Sequence, residues 1–106
     1  MKNVKLIVLY PHPADVDEFK QNYREHLTLL HRKMDIPDAT DLPYTVTRFT
    51  SLDGQLPQFY QMFMMPFPSM EALQEVLSSE AMQEVAADAM RISSGGAPSM
   101  VIGRDE

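Results

Sequence analysis

The sequence predicts an α+β domain whose elements follow the order β-α-β-β-α-β. Three observations carry this. Four short runs of apolar, β-branched or aromatic residues are bounded by proline, glycine or aspartate. Two longer stretches repeat their apolar residues at helical spacing. Their alternation is that of the split βαβ, ferredoxin-like arrangement, a four-stranded antiparallel sheet of order 4-1-3-2 with the helices on one face.

The first run, Val4 to Tyr10, is apolar except for Lys5 and is followed by Pro11, as in a central strand covered on both faces. Asp15 then fits a helix N-cap, with Glu18 three residues on and Asp17 beside it in the first turn. Val16, Phe19, Tyr23, Leu27 and Leu30 recur at spacings of 3, 4, 4 and 3 and define one stripe to about Lys33. Asp17, Lys20, Gln21, Arg24 and Glu25 fall on the polar side. The stretch from Asp35 to Pro43 has no periodicity and reads as a loop. Tyr44 to Ser51 is β-branched and aromatic, hence a second strand. Asp53-Gly54 marks a turn that Leu56-Pro57 lengthens. Phe59 to Met65 is the third strand, with Pro66 and Pro68 expected to end it.

Ser69 is the next N-cap, and Met70, Leu73, Val76 and Leu77 form a stripe that Ser78-Ser79 interrupts. The helical pattern resumes from Glu80 to Met90. Ser93-Ser94-Gly95-Gly96 closes it with backbone conformations that suit glycine. Ser99 to Ile102 is the last strand and Arg104 to Glu106 a tail.

Residues 1–106 read as one domain, with 44% hydrophobic residues, as in a globular chain. The formal net charge is −6 and the sequence contains no basic run, which speaks against nucleic acid and anionic membrane as partners. The absence of cysteine excludes disulfides, thiolate nucleophiles and cysteine-ligated metals. The first apolar run is too short for a signal segment or a membrane span, so a soluble, cytoplasmic protein is expected. Nine methionines supply adaptable packing and can line a pocket that accepts awkward shapes.

Both helical segments must cover the same sheet face, and no third segment remains for the other. Strands two and three carry apolar residues on both sides. A second copy of the sheet is the simplest cover, giving a homodimer through sheet faces, a dimeric α+β barrel.

His26 lies on the stripe with Tyr23 and Phe19, and an imidazole can accept or donate a proton near neutral pH. Asp88, near Val85 and Ala89 on the later helical segment, could orient it. Phe19, Tyr23 and Tyr60 are the candidate ligand contacts, with Tyr44 a further strand tyrosine. A metal site is not expected. His26 and His31 are five residues apart, about 140° around a helix, and do not converge; His12 stands on a loop. Gly95-Gly96 lacks the lysine and flanking pattern of a phosphate loop.

Three pieces of sequence together resemble the EthD-type domain of the dimeric α+β barrel superfamily, over about Val4 to Gly103. They are the strand Lys5-Leu6-Ile7-Val8-Leu9-Tyr10 running into Pro11, the Phe19, Tyr23, His26, Leu29 helix, and Ala86-Ala87-Asp88-Ala89-Met90 with its exit at Gly95-Gly96. The resemblance departs at Thr28, where many such domains have proline. It implies a ligand cleft between sheet and helices. It also implies cofactor-independent isomerase, cyclase or dehydratase chemistry on apolar, carbonyl-bearing molecules, with His26 moving the proton. The alternatives are a non-catalytic homodimeric binding or accessory module and, through distant relatives of the barrel, a haem or flavin protein. No residue marks a cofactor contact, and none is expected.

Overall fold

The computed structural model describes residues 4–37 and 42–105. Its elements are β1 (Val4–Pro11), α1 (Val16–Lys33), β2 (Thr45–Arg48), β3 (Phe59–Phe67), α2 (Met70–Leu77), α3 (Glu80–Ile92) and β4 (Ser99–Arg104). The four strands form one antiparallel sheet in the order β2-β3-β1-β4, the expected order read from its other edge.

Alternation along β1 divides its side chains between two faces. Val4, Leu6, Val8 and Tyr10 are buried, and they share one core with Phe63 and Met65 of β3 and the apolar stripes of the three helices. The register places Ile7 beside Met64 and Val101, and Leu9 beside Met62, on the opposite face. No described helix covers these residues.

Side chains fix the helix starts, at Asp15 and Ser69 as the sequence leads one to expect and at Ser79 in addition. The Asp15 carboxylate accepts from the Glu18 N–H at 3.1 Å, and Ser69 and Ser79 accept from Ala72 and Met82 at the same distance. Ser79 starts a new helix, so the interruption at Ser78-Ser79 divides the second helical segment into α2 and α3. α1 runs through Thr28, whose hydroxyl donates to the Arg24 carbonyl at 3.1 Å. It ends at Met34. There Asp35 takes a left-handed φ of 53°, and Ile36 N–H reaches back to the His31 carbonyl at 2.9 Å.

All four strands differ from expectation at a boundary, and β4 runs on past Ile102 to Arg104, which was expected in the tail. β2 is four residues long instead of Tyr44 to Ser51. β3 continues through Pro66 to Phe67. β2 pairs with β3 only from Gln61 to Met64, so Pro66 stands where that edge has no neighbour and its missing N–H costs no bond there. β1 likewise continues to Pro11. Residues 38–41, within the expected loop, and Glu106 of the tail lie outside the described residues.

A register shift at the end of β1 pairs Tyr10 with Gln61 but Pro11 with Phe59, leaving Tyr60 as an extra residue. This bulge buries two consecutive side chains, Tyr60 and Gln61, which simple alternation would send to opposite faces. The same end of the sheet is closed by the exit of α3. A Cβ on Gly95 would come within 1.8 Å of the His12 carbonyl oxygen, so glycine is required there by close backbone approach. The neighbouring Ser94 hydroxyl accepts from Ala14 N–H at 3.1 Å.

Candidate functional site

α1 and α3 pack side by side over the sheet, and the fold brings His26 and Asp88 together between them. His26 Nδ1 and Asp88 Oδ2 are 2.8 Å apart. The other carboxylate oxygen, Oδ1, accepts from Arg91 Nε at 2.8 Å, one turn along α3. Burial pushes the Asp88 carboxyl up, but the hydrogen bonds from His26 and Arg91 outweigh it, and the pKa lies below the usual carboxylate value. Asp88 is therefore ionised near neutral pH and can only accept, so the shared hydrogen belongs to His26 Nδ1.

His26 is 5% exposed. Burial pulls its pKa below the ordinary imidazole value, against the opposing pull of Asp88. The ring is accordingly neutral near pH 7, with Nδ1–H donated to the carboxylate and Nε2 left with its lone pair. No described residue forms a hydrogen bond with Nε2. This is a histidine–carboxylate pair in which one nitrogen is held and the other is available as a base.

His26 also borders an apolar cavity of about 30 Å³ between sheet and helices. Tyr10 and Phe63 line its sheet side, Met82 and Ala89 its α3 side, and Met100 of β4 its exposed end. That volume holds a water or two. Met82 and Met100, unbranched and adaptable, are the side chains best able to enlarge it.

The other expected site residues assemble elsewhere. Phe19 and Tyr23 stack at 5.6 Å, and both meet the Tyr10 ring edge-on, at 5.4 and 5.6 Å. Tyr60 meets Phe19 at 5.8 Å and His12 at 5.3 Å. This aromatic cluster touches His26 only through Tyr23, at 5.7 Å between ring centres, and none of Phe19, Tyr23 or Tyr60 lines the cavity. Tyr44 instead pairs with His31, its hydroxyl 2.7 Å from Nε2. Two contributors went unread in the sequence. Tyr10 was visible as the last member of the Val4, Leu6, Val8 alternation. Arg91 was visible as a base three residues after Asp88. Among the described residues, no group of three or more histidine, aspartate or glutamate side chains is placed to hold a metal ion.

A four-stranded antiparallel sheet with helices on one face, and a histidine–carboxylate pair beside an interior cavity, defines a ferredoxin-like α+β protein. The EthD domain profile matches residues 11–96, and the chain belongs to the EthD family. It is similar to an ethyl tert-butyl ether d (EthD) family protein from Bacillus halodurans, with 29% identity and a TM-score of 0.80 over 98% of this chain and 99% of that one. A dimeric ferredoxin-like protein of unknown function from Jannaschia shares the fold at 14% identity and a TM-score of 0.65, covering 100% of this chain and 99% of its own. A hydroxynitrile lyase from Passiflora edulis does so at 10% identity and a TM-score of 0.65, over 97% and 91% of the two chains. No curated protein matches the sequence. Among the described residues, no helix is long and apolar enough to cross a membrane.

Proposed function

We propose that this EthD protein is a cofactor-independent isomerase, cyclase or dehydratase in which His26 transfers a proton next to a ligand carbonyl. The observation that carries the proposal is the 2.8 Å contact of His26 Nδ1 with Asp88, made by a ring that also borders the cavity. Asp88 is a positioning residue. It fixes the tautomer and stabilises the imidazolium formed when Nε2 takes a proton. Burial keeps the resting ring unprotonated at neutral pH. The apolar lining suits a carbonyl-bearing ligand and strengthens electrostatics at the reacting atoms. Ligand entry runs past Met100 and requires the two methionines to move.

The protein is proposed to work in the cytoplasm as a homodimer. Ile7, Leu9, Met62, Met64 and Val101 present apolar rows on the uncovered sheet face, and the Jannaschia relative is described as dimeric. Sheet-to-sheet packing buries such rows while leaving the helix side free.

The test is α-proton exchange in heavy water, followed by NMR on 2-tetralone and δ-valerolactone. The wild-type protein accelerates exchange in at least one of them. His26→Gln, which keeps most of the side-chain bulk, abolishes the acceleration with little change in melting temperature. A second reading, a non-catalytic binding or accessory module, is favoured by the small size of the cavity. It expects no acceleration, and ligand affinity indifferent to the titration of His26.

A further inference from the structure

The side of α1 away from Asp88 faces β2. Lys20, Tyr23, Arg24 and Leu27 recur there at three- and four-residue spacing, and Val46 and Arg48 of β2 stand across from them. Together with Gln61 they line an open groove of about 360 Å³. The groove exists because β2 is short and its helix-side residues, Val46 included, are left exposed.

The charge in this groove has one sign. Lys20, Arg24 and Arg48 line it, and no acidic residue does. Elsewhere Lys5, Lys33 and Arg91 are held by Asp105, Glu84 and Asp88. Among the described residues, Lys20, Arg24 and Arg48 have no such partner. Arg48 lies over the Tyr60 ring, 5.4 Å from its centre, which orients the guanidinium without neutralising it. The chain as a whole carries a net charge of −6, so this cluster runs against the average.

Two further donors belong to residues that line the groove. The Tyr23 hydroxyl and the Gln61 side-chain nitrogen are buried without a hydrogen-bond partner, in residues 6% and 4% exposed. The Gln61 amide lies close enough to the Tyr23 hydroxyl to pull its pKa down, although neither atom makes a well-formed hydrogen bond. Burial raises the Tyr23 pKa, so the hydroxyl stays protonated and able to donate. Buried donors without acceptors are uncommon and costly to a fold. Both belong to residues that line the groove with Lys20, Arg24 and Arg48, and the donor atoms themselves lie beneath its surface.

We propose that the groove between α1 and β2 binds the carboxylate of a small, partly apolar organic acid. Arg24 and Arg48 clamp the carboxylate, since the planar guanidinium fork matches its two oxygens. Leu27 and Val46 flank the apolar body. The Tyr23 and Gln61 donors complete the hydrogen bonding of the oxygen that reaches furthest in. The volume of this open groove suits a small molecule, and three cations on an acidic protein do not suit a polyanion. The inference is independent of proton transfer at His26.

The test uses benzoate as the probe, with the full-length protein and ¹⁵N NMR of the Gln61 side-chain amide and the arginine Nε groups. Benzoate shifts the Gln61, Arg24 and Arg48 signals along one saturable curve. Benzyl alcohol does not, and inorganic phosphate needs at least about tenfold higher concentration because it lacks the apolar body. Arg24→Gln and Arg48→Gln, both exposed positions, each weaken benzoate binding about tenfold. Arg104→Gln, on β4, leaves it unchanged. Benzoate shifts that are unsaturable, that survive in the two arginine variants, or that phosphate reproduces at equal concentration overturn the proposal.

Discussion

The two sides of α1 solve the problem of buried polar groups in opposite ways. Toward α3, His26 meets Asp88 at 2.8 Å, and Asp88 in turn meets Arg91. Each charge there has its complement within the chain. Toward β2, three cations have no acidic partner among the described residues, and two buried donors have no acceptor. The first side is internally complete and leaves one atom, Nε2, for chemistry. The second is complementary to a molecule the chain does not contain. A residue's neighbours thus separate a group held for reaction from a group held for recognition, even on one helix about five turns long.

The comparison can be broken one variant at a time. The largest effect is expected from His26→Gln, which should reduce proton exchange by a factor on the order of 10³ or more if Nε2 is the base. The anion groove should be untouched. Asp88→Asn keeps the shape but loses the charge that orients and stabilises the imidazolium. It should slow exchange about 10- to 100-fold and lower the His26 pKa further, because burial then acts with less opposition. Arg24→Gln and Arg48→Gln should do the reverse, weakening benzoate about tenfold while leaving exchange rates alone.

Acid should act mainly on the His26 side. The folded-state pKa of His26 is depressed, so the unfolded chain binds the proton more readily. The stability this contributes is complete above the ordinary imidazole value, about 6.5, and is lost as pH falls below it. Asp88 adds to the loss at lower pH, since its own pKa is depressed by His26 and Arg91. Thermal melts at pH 7.5 and pH 5.5 should therefore differ more for the wild type than for His26→Gln. The smallest effect is expected from Ser79→Ala. It removes the cap on α3 and should cost about 1 kcal/mol by chemical denaturation, with no change in either site's specificity.

Much of the fold was legible in the chain because its signals are local. The Asp15 and Ser69 caps, the break at Ser78-Ser79 and the helical stripes all act within a few residues. Strand ends were less legible because pairing sets them. Pro66 stays in β3 only because β2 has already stopped. His26 and Asp88 could be paired on paper because each lay on the apolar side of a helix and the two helices had to share one sheet face. The placement of Phe19, Tyr23 and Tyr60 outside the cavity could not be read, because a single bulge at Tyr60 redirects that corner of the sheet. The cationic groove was invisible for a similar reason. The sequence has no basic run, and Arg48 joins Lys20 and Arg24 in one groove only through the tertiary fold.

The most direct measurement is the protonation state of the His26 ring, from long-range ¹H–¹⁵N NMR across pH in wild type and Asp88→Asn. The expected result is a neutral ring at pH 7 with the hydrogen on Nδ1, a bare Nε2, and a pKa below the ordinary imidazole value that falls further in Asp88→Asn. A hydrogen on Nε2 at pH 7, or an imidazolium that persists above the ordinary value, would contradict it.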